Sequence, residues 1–265
     1  MKIPNVLLAL AFASAPLLSF AGVTIGVDKA ELITDLAAGE KRMLKLQVTN
    51  SGSDATPVTV YSEDWQIAAG EPEFNNKTHP RALGRKVTLT PASFQLAAGA
   101  SQDVTVVVDA GTEAFIPGSY WAAVFVQSAR LAPEVAGTGD RGAQMRIIER
   151  IGVLLFADNA PEAKPLPADI VITGIKRTPE GVSISVKNPS AYMRLAASAV
   201  VSVTPLSGGE TKKIPLPAFR LLPDSTQEIA VALPADVVGL GRSSVLAVID
   251  YNAQDLVVGE TRITF

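Results

Sequence analysis

Short runs in which apolar and polar residues alternate are the dominant pattern of this chain. Successive side chains of a β-strand point to opposite faces, so alternation predicts strands with one buried face. Gly, Asn and Pro separate the runs, as is typical of β-sandwiches. The pattern predicts strands at residues 44–49, 58–61, 103–108, 120–126 and 182–186. Only residues 234–239 favour a single turn of helix.

Residues 144–156 form a longer run with apolar residues on both faces. The run follows a loop and precedes a proline-rich stretch, so it is interpreted as the last strand of a first β-domain. One face carries, around Glu149, the apolar residues Met145, Ile147, Ile151, Val153 and Leu155. The other face carries Ile148, Leu154 and Phe156 among Arg146 and Arg150. Either both faces are covered within the chain, which periodicity alone favours, or one face binds another protein.

Two related β-sandwich domains are indicated by a repeated pattern. The pattern F-x-L-x(5)-Q-[DE]-[VI]-x-V occurs at residues 94–106 and again, 125 residues later, at 219–231. Between the two matches, residues 157–168 are rich in alanine and proline, and proline is poor inside strands. We therefore predict an all-β chain with a first domain at 22–158, a linker at 159–168 and a second domain at 169–265.

The first 21 residues predict a secretory signal peptide rather than part of the fold. Lys2 precedes an apolar run, and Ser19 and Ala21 are small residues placed for cleavage before Gly22. An uncleaved anchor is the alternative, but the run is short and contains proline. No later run is apolar over about 18 residues, so no stable membrane insertion is expected. The chain has no cysteine, so an exported protein of this sequence depends on its core for stability.

Composition and motifs argue against enzymatic, cofactor, metal or nucleic-acid chemistry. The net charge is −3 and the basic residues are scattered, which is not typical of nucleic-acid binding. The single histidine, His79, lies in a polar loop and is expected to be solvated. A G-x-G-x-x-G spacing at 137–142 lacks the strand and helix that a dinucleotide site needs. Trp65 and Trp121 are expected in the sandwich core or at its rim.

Several motifs follow one another in an order that resembles a known family. They are Gly39-Glu40, the strand 44–50 ending in Val-Thr-Asn, a strand at 58–65 that carries a tryptophan, residues 88–99, and the strand 150–155. Together they resemble the periplasmic pilus-assembly chaperones, called PapD-like, and the chain is identified as a divergent member. The resemblance implies two immunoglobulin-like domains, a periplasmic location and no enzymatic activity.

The resemblance also implies a mechanism, donor-strand complementation, in which a strand of the chaperone fills a groove in an incomplete subunit. The client-binding residues that it implies are Ala143, Met145, Ile147, Ile151 and Val153. The family holds a subunit's terminal carboxylate with a lysine and an arginine, but Gly152 stands at the lysine's place. Arg150 and Lys29 are therefore the candidate anchors. The implied partners are pilus-like or other secreted subunits and an outer-membrane usher.

Two other functions are compatible with the sequence. An exported structural or adhesive protein could use the same two sandwiches as spacers without chaperone activity. A secreted enzyme is a weaker alternative, because the residues offer no catalytic constellation. A neighbouring usher gene would favour the chaperone, whereas a cell-surface location would favour the adhesive protein.

Overall fold

The computed structural model describes residues 24–68, 71–74, 79–111, 116–131, 146–159, 170–239, 241–251 and 256–265. The described chain is built mainly of strands, with a single-turn helix α1 (Ala235–Val238) and a 3₁₀ turn at Gly84–Lys86. The all-β prediction is confirmed, as is the helical turn within 234–239. No helix in these ranges is long and apolar enough to cross a membrane.

The first half of the chain forms two sheets and a separate hairpin. Its strands are β1 (Ile25–Val27), β2 (Glu31–Asp35), β3 (Lys41–Asn50), β4 (Thr56–Glu63), β5 (Trp65–Ala68), β6 (Glu71–Phe74), β7 (Val87–Thr90), β8 (Ser93–Leu96), β9 (Ser101–Asp109), β10 (Gly118–Leu131) and β11 (Arg146–Asn159). One sheet has the order β1-β3-β9-β7 and the other β2-β11-β10-β4-β8, while β5 and β6 pair only with each other.

The core of the first half lies between these two sheets. Alternating residues of each strand point inward, which is why the period-two runs of the sequence became strands of a sandwich. The fully buried residues include Leu46 and Val104 of one sheet and Val124, Val153 and Leu155 of the other. The predicted strands at 44–49, 58–61, 103–108 and 120–126 all fall within this sandwich.

The second half of the chain forms another set of sheets around its own core. Its strands are β12 (Val171–Thr178), β13 (Gly181–Asn188), β14 (Arg194–Ala196), β15 (Ser198–Pro205), β16 (Lys212–Leu216), β17 (Phe219–Leu221), β18 (Ser225–Ala232), β19 (Arg242–Asp250) and β20 (Val257–Thr264). The sheets have the orders β12-β13-β18, β14-β17 and β16-β15-β19-β20. Val182, Ile184, Val201 and Val245 are fully or almost fully buried between them.

The two halves share a buried asparagine in an equivalent place. Asn50 ends β3 and its Nδ2 donates to the carbonyls of Asp54 and Leu96, at 2.8 and 2.9 Å. Asn188 ends β13 and its Nδ2 donates to three carbonyls, those of Tyr192, Leu221 and Leu222. Leu96 and Leu221 are the leucines of the repeated sequence pattern. Each asparagine amide thus links the end of its strand to the leucine of the repeated pattern.

A third buried cluster joins the two halves. It contains Trp65, Trp121, Phe125 and Phe156 of the first half with Leu222 of the second. The tryptophans therefore lie outside both sandwich cores, so of the two predicted positions the core is wrong for both. Trp121 belongs to β10 and points away from the first core, and Trp65 belongs to the adjoining β5–β6 hairpin.

The end of β11 differs from the predicted linker. Asn159 was predicted to begin the linker, but it pairs with Gly118 as the last residue of β11. Ala157 is fully buried in the first core, so its methyl group belongs to the sandwich. The proline-rich part of the predicted linker, residues 160–168, lies outside the described residues.

Candidate protein-binding edge and interdomain cleft

Strand β11 has one fully paired edge and one edge that is paired over only part of its length. It pairs antiparallel with β10 from Arg146 to Asn159. On its other side β2 pairs in parallel with residues 154–158. Among the described strands, none pairs with residues 146–153 on that side. An unpaired edge is a template for strand addition by another chain.

The main-chain groups at this open edge can be assigned from the paired part. The N–H of Leu154 donates to the carbonyl of Ala30 at 3.0 Å, and the carbonyl of Asp158 accepts from Leu36 at 2.9 Å. Main-chain groups of a strand alternate between its two sides. Ile148, Arg150 and Gly152 therefore direct their N–H and C=O groups toward the open side.

Of the predicted client-binding residues, Ile147, Ile151 and Val153 are described, and they lie on the face of β11 that covers the first core. Val153 is 0% exposed within that core, so it has no surface to offer a client, and the prediction that it binds one does not fit its position. Ile151 packs against the same core and is partly buried. Ile147 is partly buried nearer the start of the strand. Ala143 and Met145 lie outside the described residues.

Glu149 lies between these apolar residues and holds the beginning of the described chain. Its Oε2 accepts from the main-chain N–H of Thr24 at 3.1 Å and from the Thr24 hydroxyl at 2.8 Å. The Ser128 hydroxyl donates to the same oxygen at 3.4 Å. The carboxylate that interrupts the apolar row thus has polar partners on its own sandwich.

Arg150 lies on the outer face of the sheet against an aromatic ring. Its Cζ is 3.5 Å from the centroid of the Phe125 ring, and its Nη2 is 2.7 Å from Oε2 of Glu63. A Cβ on Gly152 would lie 3.0 Å from Cε1 of Phe125, which is tighter than ordinary contact. Because Gly152 has no side chain, the Phe125 ring can lie beneath the Arg150 guanidinium without a steric clash.

Lys29, the second predicted anchor, has different partners. Its Nζ is 3.1 Å from the carbonyl oxygen of Lys45 and 3.4 Å from Oδ2 of Asp28. Both the Lys29 and Asp28 side chains are exposed, so this ion pair contributes little stability. The contacts of Lys29 and of Arg150 have no residue in common, and a joint anchoring role for the two stays a prediction.

A cleft between the two halves continues from the paired end of β11. Its cavity has a volume of about 620 Å³. Aromatic and aliphatic side chains from both halves form its walls, among them Trp65, Phe74, Leu154, Phe156, Leu195 and Ile229. A cavity of this size, at a junction of domains and with mostly apolar walls, has the dimensions of a ligand or peptide site.

An ion pair between residues far apart in the sequence crosses this cleft. Arg220 forms a bidentate contact with Glu31, with Nε donating to Oε1 at 2.8 Å and Nη2 to Oε2. The hydrogen bond from Arg220 lowers the pKa of Glu31 and raises that of the guanidinium. The partners are 189 residues apart, and no local pattern links them.

Two further titratable groups lie where the halves meet. Burial raises the pKa of Asp158, although the Ser119 hydroxyl donates to its carboxylate. His79 was expected to be solvated, but its ring stacks on Trp121 with centroids 4.5 Å apart. Burial lowers the pKa of His79, and its Nδ1 accepts from the main-chain N–H of Arg81 at 3.1 Å. The stacking explains why this loop histidine is partly buried rather than fully solvated.

The donor set in the described ranges is not that of a metal site. No group of three or more His, Cys, Asp or Glu side chains there could hold a metal ion. Glu63 and Asp64, adjacent acids in the sequence, have separate partners in Arg150 and in the N–H of Gly84. The two acids therefore do not share a partner.

Comparison with solved structures returns pilus-assembly chaperones. No protein-family pattern matches the chain, and no curated protein does. The YadV chaperone is 15% identical, with 91% of this chain and 100% of that chain covered and a TM-score of 0.48. The CsuC–CsuE chaperone–tip adhesion subunit complex from Csu pili of Acinetobacter baumannii is 14% identical, with 90% and 98% covered and a TM-score of 0.47. The Salmonella enterica SafA pilin in complex with the SafB chaperone is 16% identical, with 91% and 96% covered and a TM-score of 0.45.

Proposed function

We propose that the chain is a periplasmic chaperone that binds pilus-type or other secreted subunits by strand addition to the open edge of β11. The observation that carries the proposal is the division of this edge at Leu154. Residues 154–158 are closed by β2, whereas residues 146–153 are open in the described chain. A strand that added here would bond to the main chain of Ile148, Arg150 and Gly152.

The side chains around this edge support the same proposal. Ile148 is 56% exposed beside the open edge. A protein that does not bind another chain at such an edge commonly carries a charged residue there, which prevents unwanted strand pairing. Met145 and Ile147 are the proposed donors into a client's groove, and each buried large side chain contributes roughly 1.5–3 kcal/mol. Arg150, already held over Phe125, is the proposed anchor for a client's carboxylate. The carboxylate would replace or share the contact with Glu63.

The first test removes one main-chain donor from the open edge. Ile148→Pro deletes an N–H that points away from β10, and proline is tolerated at such positions of edge strands. The probe is a pilus-type subunit that lacks its own last strand, co-expressed with the full chain. We expect the variant to retain about ten-fold less subunit or even less, since a hydrogen bond is lost and the ring blocks close approach.

The matched control is Ile148→Thr, which keeps the N–H and suits a strand. It should retain the subunit as the original chain does. Both variants should unfold at the temperature of the original chain, because Ile148 contributes little buried area. A folded Ile148→Pro variant that still retains the subunit fully would show that this edge is not the binding site.

A second arm tests the donors. Met145→Asp together with Ile147→Asp should abolish capture, because each places a charge in an apolar groove. Unfolding of this double variant would assign the two residues to the chain's own core instead.

A further inference from the structure

A second open edge lies in the other half of the chain, on strand β18. This strand pairs with β13 along its whole length, from Ser225↔Asn188 to Ala232↔Gly181. In the described chain no strand pairs with its other side, since β18 ends the order β12-β13-β18. The edge is distinct from that of β11, which belongs to the first half.

The internal repeat shows that an edge in this place need not be open. At the 125-residue offset of the sequence repeat, β18 corresponds to β9 and β16 corresponds to β7. In the first half β7 pairs with β9 and closes its outer edge. In the second half β16 pairs with β15 in the opposite sheet. The strand that would cover β18 is thus present but lies in the other layer.

The orientation of the main chain shows which groups this leaves open. The N–H of Leu233 donates to the carbonyl of Glu180 at 3.0 Å, on the side of β13. Because main-chain groups alternate along a strand, Thr226, Glu228 and Ala230 direct their N–H and C=O groups to the open side. These are three pairing positions in a row, enough for a short added strand.

The open edge borders the interdomain cleft. Gln227, Glu228 and Ile229 are consecutive residues of β18, and all three line the 620 Å³ cavity. Leu195 from the second half and Phe74 from the first, each 39% exposed, line the same cavity. One face of a strand paired with β18 would point its side chains into this cavity. An apolar side chain there would lie between Leu195 of the second half and Phe74 of the first half.

The charge at this edge is acidic. The hydroxyls of Ser183 and Ser185 donate to the Glu228 carboxylate and lower its pKa, so it is ionised at neutral pH. The charge of Lys176 also lowers the pKa of Glu228, as the smallest of the contributions. Among the described residues, Glu228 forms no ion pair. The nearby Arg220 is held by Glu31. A lysine or arginine opposite Glu228 would complete a cross-strand charge pair.

We infer that β18 is a second strand-addition site, which takes an extended polypeptide segment with a basic residue opposite Glu228 and an apolar side chain in the cleft. The inference goes beyond the proposed function, because it places a separate binding site on the second half of the chain. Its occupant is recognised by main-chain pairing, by one apolar contact and by positive charge.

The test uses a labelled, end-capped peptide of sequence Val-Lys-Val-Thr-Val and a counterpart with Glu in place of Lys. Binding to the full chain is measured by fluorescence anisotropy. We expect the Lys peptide to bind about ten-fold more tightly than the Glu peptide, and Glu228→Lys to reverse the order. Ala230→Pro, which removes an N–H from the open side, should weaken binding of the Lys peptide about ten-fold or more.

Two controls separate this site from the edge of β11. Ala230→Thr keeps the N–H and should bind the peptide as the original chain does. Ile148→Pro, which blocks the β11 edge, should also leave the dissociation constant unchanged. Loss of binding in Ile148→Pro but not in Ala230→Pro would place the peptide on β11 and overturn the inference, as would equal affinity for both peptides. A dimer of the full chain that Ala230→Pro converts to a monomer would show that a second copy occupies the edge instead.

Discussion

The two halves of the molecule build the same sandwich but close its sheets differently. Asn50 at the end of β3 and Asn188 at the end of β13 each donate a hydrogen bond to the carbonyl of the repeated leucine. Yet β7 joins the sheet of β9, whereas its counterpart β16 leaves β18 uncovered. The repeated residues therefore account for the shared core and the asparagine hydrogen bonds. They do not determine which sheet β7 or its counterpart β16 joins.

The length of the preceding connection explains this difference. In the second half only residues 206–211 separate β15 from β16, and Gly208 and Gly209 have φ values of 93° and 134°. Such a short turn returns the chain beside the strand that it has just left. In the first half residues 64–86 separate β4 from β7, and they include the β5–β6 hairpin and the 3₁₀ turn. A connection of that length can cross to the opposite sheet.

The strongest test of the shared architecture compares the two asparagines. Asn50→Ala and Asn188→Ala should each lower the free energy of unfolding by about 3 kcal/mol, because buried carbonyls lose their donor. Both side chains belong to residues that are 0% exposed. Urea denaturation followed by circular dichroism measures the loss, and Lys187→Ala beside Asn188 should change it by less than about 0.5 kcal/mol. A large cost at one asparagine alone would show that the two networks are not equivalent.

Amide hydrogen exchange tests the difference between the edges. The N–H groups of Thr105 and Val107 point toward β7, and their counterparts at the 125-residue offset are Ala230 and Ala232. The two alanine amides should exchange about 100-fold faster or more, because no strand of the described chain bonds to them. Protection of Ala230 equal to that of Thr105 would mean that the edge of β18 is covered in solution.

The smallest expected effect concerns the ion pair that links the halves. The pKa of Glu31 is lowered in the folded chain, mainly by its hydrogen bond with Arg220. The pair therefore stabilises the fold above the unfolded pKa of about 4.3, and this stabilisation is lost as pH falls through the folded value. Glu31→Gln should cost about 1 kcal/mol at pH 7, a modest value since Glu31 is partly exposed.

Melting curves from pH 3 to pH 7 check this dependence. The difference between the variant and the original chain should shrink below about pH 4. The exposed Glu180→Gln serves as the control and should show a much smaller difference at every pH. A gap that stays constant down to pH 3 would indicate that packing, and not the charge of Glu31, is responsible.

Period-two alternation predicted β3, β4, β9, β10 and β13, because it reflects a local geometric rule, but it did not indicate short strands such as β5, β6 and β14. It also predicted that β11 has two apolar faces. Coverage of both faces within the chain, the interpretation that periodicity favoured, holds for Leu154, Leu155 and Phe156, whereas Ile148 is exposed. The outer face of β11 is covered at Leu154 and Phe156 because the cluster with Leu222 packs on it there, and alternation does not encode that contact.

The contacts between the halves could not be predicted in this way. The Glu31–Arg220 pair and the contact of Leu222 with the tryptophans join residues far apart in sequence. Such contacts depend on how two finished sandwiches meet, and no spacing rule describes that. The stacking of His79 on Trp121 belongs to the same junction, which is why loop composition suggested a solvated ring instead.

The buried cluster that joins the two halves determines what intrinsic fluorescence reports. The chain has two tryptophans, and both Trp65 and Trp121 belong to the buried cluster that contains Leu222. Neither indole lies in the core of a sandwich, so their emission is sensitive first to water entering between the halves. Intrinsic tryptophan fluorescence of this protein therefore reports the separation of the two halves. Circular dichroism instead reports the unfolding of the sheets.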